Sequence, residues 1–167
     1  MPLARPEPLP VGKPLDRRWI ESHIPHQGRM CLLDEVLAWD LTVIRCRAST
    51  HLLPDNPLRA HGRLGAACGV EYAGQAMAVH GAIVAALTGT VARVGYLTSI
   101  RNLMLGVARL DDVAGPLLVS AQRLAGDEGS ALYEFRLEGG TQPLLSGRAG
   151  IVFGPLPEAH SGRKNHP

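Results

Sequence analysis

HGRLGAACGVEYAGQAMAVHGAIVAAL, residues 61–87, decides the fold. It opens as a Gly-punctuated loop and runs on, without proline, into an Ala-rich segment with one acidic residue, Glu71. Cys68, Tyr72, Ala76, Val79, Ile83 and Leu87 recur at three- and four-residue steps, so they line one face of a helix. Ala73, Gly74, Ala78, Gly81, Ala82 and Ala85 keep the rest of it slim. A helix apolar nearly all round is buried, and at 1.5 Å per residue some 20 residues span about 30 Å, the width of a small domain. Glu71 then falls in the first turns of a core helix, where the dipole is positive and an unpaired carboxylate is costly.

Everything around this helix reads as sheet. Asp16 caps a short helix over Arg17 to His23, which stops at Ile24-Pro25 because the residue before proline is pushed out of the helical region. His26-Gln27-Gly28 turns the chain into a strand pair, residues 30–40 and 41–50, in which Val43, Arg45 and Arg47 alternate with Ile44, Cys46 and Ala48. Residues 51–66 form a turn-rich loop that delivers the chain to the long helix. After Thr88-Gly89-Thr90, residues 92–110 read as a long strand with a bend or close approach at Gly95. Three more strand candidates follow, separated by GDEG and GGTQ as hairpin punctuation, so that an antiparallel meander is expected, with Tyr133, Phe135 and Leu137 setting the inward register. One helix that must bury every side, with about six strands, predicts an α+β domain: a strongly curved antiparallel sheet wrapped around the helix, the hotdog fold.

The bulk numbers agree. The 167 residues suit one domain, expected over residues 16–154, with a Pro-rich extended or disordered leader over 1–15 and a loose tail over 155–167. Hydrophobic residues make up 46%, charged residues 19%, and the net charge is +2, so neither a nucleic-acid-binding excess of charge nor a disordered chain is indicated. No apolar run reaches membrane length and the N-terminus lacks a signal-peptide core. Cys31, Cys46 and Cys68 form no CxxC pair, which points to reduced thiols and a cytoplasmic location, with zinc not expected.

Three segments resemble the hotdog-fold 3-hydroxyacyl-acyl-carrier-protein dehydratases: IPHQGRMCLLDEV (24–36), NPLRAHGRLGAACGVEYAGQAMA (56–78) and VGYLTSIRNLMLG (94–106). Gly69-Val70-Glu71-Tyr72 and Gly95-Tyr96-Leu97 are most similar to the divergent ApeP-like branch associated with aryl-polyene biosynthesis. The chain departs from the fatty-acid dehydratases where their loop histidine would stand, 14 positions before the helix carboxylate: that position is Pro57. The resemblance carries over well to Glu71, then to His26 in the opening motif, and least to His61.

The resemblance implies elimination of water from a 3-hydroxyacyl thioester to a trans-2-enoyl thioester. Such a reaction needs a base for the α-proton, an acid for the departing hydroxyl and donors for the thioester oxygen. His26 or His61 is the expected base, and Glu71 the acid or water-orienting carboxylate, its pKa raised by burial. The N–H of Gly69, at the open helix end, is the expected oxyanion donor. Gln75, one turn on from Glu71, holds that carboxylate or a water, or simply packs. Gly95 marks the substrate wall, and among several arginines Arg63 and Arg101 are the candidates for the phosphate of a phosphopantetheine arm or for acidic carrier-protein side chains.

No cofactor is expected beyond the phosphopantetheine that carries the substrate. The implied partners are an acyl carrier protein and a second hotdog chain, as homodimer or heterodimer, with histidine and carboxylate coming from different subunits; neither nucleic acid nor a membrane is expected. Two alternatives stay open: a catalytically silent hotdog subunit paired with an active dehydratase, and a hotdog acyl thioesterase.

Overall fold

The computed structural model describes residues 12–155. Its elements in chain order are β1 (Leu15–Asp16), α1 (Arg17–His23), β2 (Glu35–Trp39), β3 (Val43–Ala48), α2 (Gly69–Thr88), β4 (Gly95–Leu105), β5 (Leu117–Gly126), β6 (Ser130–Gly139) and β7 (Gln142–Phe153). All seven strands form one antiparallel sheet in the order β1-β2-β3-β5-β6-β7-β4. The sheet curls around α2 without closing, which is the expected hotdog fold.

Alternation decides which strand face meets the helix. In β3, Ile44, Cys46 and Ala48 are buried while Arg45 and Arg47 face out. In β6, Ala131, Tyr133, Phe135 and Leu137 point inward, as their two-residue spacing dictates. The β2–β3 turn is closed by Asp40, whose Oδ1 accepts from the backbone N–H groups of Thr42 and Val43 and from the Thr42 hydroxyl. Helix α1 is capped by Asp16, which accepts from the Trp19 N–H at 2.9 Å. Helix α2 ends at Gly89, whose φ of 69° is the left-handed conformation that suits glycine.

Three details differ from the sequence expectation. Leu15, assigned to the leader, is buried and pairs with Val36, and the Trp39 indole donates to the Lys13 carbonyl at 3.0 Å. The folded unit therefore begins earlier than residue 16, because a buried apolar residue and a ladder partner are both supplied there. The remainder of the leader, residues 1–11, and residues 156–167 of the tail lie outside the described residues. Second, β4 does not pair with β5, its neighbour in sequence. It crosses to the far side of β7, leaving β3 to pair with β5. Third, Leu87, placed on the buried face, is 38% exposed, since the last turn of α2 runs past the sheet.

Strand β4 is therefore an open edge, and no residue along it is buried. Tyr96, Leu97, Leu103, Met104 and Leu105 are all exposed there. A register shift between Arg101 and Met104, with Asn102 at φ 53°, adds one residue opposite Arg148–Ser146 and bends this edge. Among the described residues no helix is long and apolar enough to cross a membrane.

Candidate active site

Helix α2 begins as a 3-10 turn, Ala66–Cys68, and this start governs what its first residues can do. The Ala66 N–H donates to Ala108 O at 3.0 Å and the Cys68 N–H to Gly65 O at 3.1 Å. The Gly69 N–H donates back to Ala66. Gly69 is buried, and a Cβ there would lie 2.2 Å from a methyl of Leu145. The expected oxyanion donor is thus spent inside the helix start, and this glycine serves close packing against β7.

Two residues on, still in the first turn of α2, Glu71 is part-exposed. His26 Nε2 lies 3.1 Å from its Oε1, and Gln75 Nε2 donates to the same oxygen at 3.1 Å. Gln75 is fully buried and satisfied: its other N–H donates to Met30 O at 2.7 Å, and its Oε1 accepts from the Leu32 N–H at 2.8 Å. It therefore both holds the carboxylate and pins the segment that follows His26. Thr50 secures the same segment from behind, donating to Leu32 O at 2.6 Å and meeting the buried Tyr72 hydroxyl at 2.9 Å.

His26 is placed by the exit from α1. Ile24-Pro25 ends that helix, and the turn Gly28–Met30 follows. Arg17 donates to Gly28 O at 2.9 Å and Cys31 O at 2.7 Å, while the Gln27 amide bonds Glu21 O and Ile24 O. These bonds fold residues 24–31 back over the first turns of α2. His26 and Glu71 are brought together within a single chain. The carboxylate is not withdrawn from solvent as expected: its side chain is 39% exposed in the single chain.

From this pair a cleft of about 350 Å³ runs along the slim side of α2, past Gly74, Ala78 and Gly81. A Cβ at Gly74 or at Gly81 would meet nothing within 4 Å, so these positions open a slot along the helix surface. Val94, Leu97, Ile151 and Phe153 form the apolar opposite wall. Gly95 belongs to that wall, and its close approach is real: a Cβ there would fall 2.7 Å from Ile151. The spacing Gly74-Ala78-Gly81 was the one sequence signal for the slot. The strands that complete it are distant in sequence and carried none.

The remaining candidates lie elsewhere. His61 sits at φ 51° in an exposed turn closed by the Ala60–Arg63 pair, and Arg63 is exposed in the same turn. Arg101 projects from the open strand β4. None of the three lines the cleft. Arg59 and Arg109 converge on Asp111, whose carboxyl is held well below the usual carboxylate range chiefly by the Arg109 hydrogen bonds. Arg93 does line the cleft, with its guanidinium bound to Gly154 O and Glu128 O. Among the described residues no three His, Cys, Asp or Glu side chains converge as a metal site would require.

Residues 18–160 match the ApeP-like family, described as ApeP dehydratase. The chain belongs to the ApeP-like family. No curated protein matches it in sequence. Among solved structures, this ApeP-like chain is similar to the dehydratase heterocomplex ApeI:P from Xenorhabdus doucetiae, with a TM-score of 0.72 and 19% identity over 81% of this chain and 91% of that one. It is also similar to a thioesterase from Haemophilus influenzae, TM-score 0.55 at 12% identity over 75% of this chain and 81% of that one. Zebra fish thioesterase superfamily member 2 gives 0.56 at 12% identity, over 82% and 94% respectively. At these identities the structural likenesses establish the hotdog fold. Family membership supports dehydratase chemistry for the ApeP-like chain, in a fold that thioesterases share.

Proposed function

We propose that this protein is a 3-hydroxyacyl-acyl-carrier-protein dehydratase, working in the cytoplasm in fatty-acid or polyene-type biosynthesis. The observation that carries the reading is the His26–Glu71 pair, 3.1 Å apart at the head of an apolar cleft. His26 Nε2 takes the α-proton of the 3-hydroxyacyl thioester while the Glu71 carboxyl protonates the β-hydroxyl. The α C–H and β C–O bonds break, the C2–C3 double bond forms and water leaves. Return of that proton from Nε2 to the adjacent carboxylate then resets the pair. Gln75 aims the carboxylate, and the acyl chain lies in the slot beside Gly74 and Gly81.

The working form pairs β4 with a second hotdog chain, its own copy or a different one. Support comes from the apolar residues exposed along that edge, and from the half-exposed Glu71, which a partner would shield from water. The neighbouring Xenorhabdus protein is described as a heterocomplex, in keeping with the second arrangement. The consumed Gly69 N–H favours a thioester-oxygen donor supplied by such a partner, so that this chain acts when paired.

The test is the purified chain given a 3-hydroxyacyl-acyl carrier protein, alone and with a second hotdog protein from its own genome. Loss of one water by mass spectrometry supports the proposal. Release of free acid would replace it with a thioesterase, and loss of water only with the partner would assign a heteromeric enzyme.

A further inference from the structure

Ten residues on from Glu71, about 15 Å along the helix axis, the cleft reaches Gly81, where α2 offers no side chain and a Cβ would meet open space. Among the sheet residues that line the cleft, Tyr133 of β6, only 3% exposed, is the one bonded to the helix residue beside Gly81. Its hydroxyl lies 2.8 Å from His80 Nδ1, and His80 Nε2 lies 2.9 Å from the carbonyl oxygen of Asp40. A carbonyl only accepts, so Nε2 carries the imidazole proton, Nδ1 is the bare nitrogen and the tyrosine O–H donates to it. Burial lowers the His80 pKa, which keeps that ring neutral and the arrangement intact. The two rings meet edge-on, with centroids 5.7 Å apart. Tyr133 is thereby tied to the helix through His80, and through it to the β2–β3 turn.

A tyrosine held at both its ring and its hydroxyl cannot swing aside as an unbonded phenylalanine could. We infer that Tyr133, locked by His80 and Asp40 O, is the floor of the cleft and sets the length of acyl chain the site accepts. His80 is a positioning residue in this device, nine residues from Glu71 on the same helix and without a part in the proton transfer. The inference rests on the acyl-binding reading of the cleft, and the experiment separates the two.

The Glu71→Gln protein, unable to turn substrate over, is titrated calorimetrically with a series of saturated 3-hydroxyacyl pantetheine thioesters of increasing length. Each methylene that finds room tightens binding about fourfold, the equivalent of ~0.8 kcal/mol. The gain stops where the chain meets Tyr133. Adding Tyr133→Leu moves that plateau to longer chains. Gly81→Val, which fills open space opposite the tyrosine and leaves the core untouched, moves it to shorter ones. Tyr133→Phe keeps the ring but removes the tether, so the plateau softens into a gradual decline. An unchanged plateau in Tyr133→Leu and Tyr133→Phe overturns the floor assignment. If Tyr133→Leu does not fold, an unchanged plateau in Gly81→Val and Tyr133→Phe overturns it equally. Absence of any chain-length dependence in the parent protein overturns the acyl reading itself.

Discussion

Gln75 sits one helical turn beyond Glu71 and donates to its Oε1 at 3.1 Å, the same oxygen that His26 approaches from the other side. The second Glu71 oxygen has no hydrogen-bond partner among the described residues, so it is the one free to meet a substrate. Replacing the amide by an apolar isostere, Gln75→Leu, leaves the Leu32 N–H and Met30 O without their buried partners. That should cost about 1–3 kcal/mol in urea unfolding. Loss of alignment at Glu71 should also lower kcat by up to about 10²-fold, as a misplacement of roughly an ångström does. A fall in stability with unaltered kcat would show that the amide only packs.

His26 and Glu71 are expected to behave as a unit. Glu71→Gln and His26→Ala should each reduce kcat by about 10²–10⁴-fold, the range for loss of a general acid or base. The double variant should be little worse than the poorer single one, because the pair shares its proton traffic. Fully multiplicative losses in steady-state kinetics would mean that the two residues act independently.

Strand β4 has no buried residue in the single chain, yet it carries Leu103 and Leu105 at 40% and 52% exposure. Placing lysines at both positions should leave the monomer folded and abolish association, since charges on an edge strand oppose strand pairing. Sedimentation velocity of the parent and the Leu103→Lys/Leu105→Lys protein, each alone and with the second hotdog protein, reads this directly. A variant that still associates would move the interface elsewhere.

Acid should destabilise the fold before the carboxylates titrate. Burial lowers the pKa of both His51 and His80 from 6.5. Below about pH 6.5 the unfolded chain takes up protons on these two rings while the folded chain resists, so their stabilisation is complete above 6.5 and is lost as the pH falls toward the folded values. The urea midpoint should therefore drop between pH 7.5 and 5.5, with NMR showing both imidazoles still neutral at the upper end. A midpoint that held or rose over this interval would contradict the assignment.

Gly69 offers a packing test separate from the chemistry. A methyl group there would lie 2.2 Å from Leu145 and 3.1 Å from Leu137, both in the core. Gly69→Ala should lose about 1–3 kcal/mol through overpacking, against the gain of up to about 1 kcal/mol that alanine otherwise brings to a helix. A thermal melt unchanged or raised by the substitution would show that β7 yields more readily than the spacing implies.

Short-range physical chemistry made most of the architecture readable from the chain. The long helix follows from an apolar period unbroken by proline, α1 from its Asp16 cap and Pro25 stop, and the inward face of β6 from Tyr133, Phe135 and Leu137. Glu71 was legible for the same reason: one carboxylate in an apolar helix start needs a partner wherever it lies. Which histidine lies beside it did not follow from spacing, because His26 and His61 are 45 and 10 residues away; only the resemblance of the opening motif favours His26. The folding back of residues 24–31, driven by backbone bonds to Arg17 and Gln75, brought the distant ring to the acid. Tertiary structure also decided the crossing of β4 to β7, the loss of the Gly69 N–H to its own helix and the tyrosine at the end of the cleft. Each depends on which groups meet across the sheet, and a local pattern of residue types specifies a face without specifying what will be packed against it.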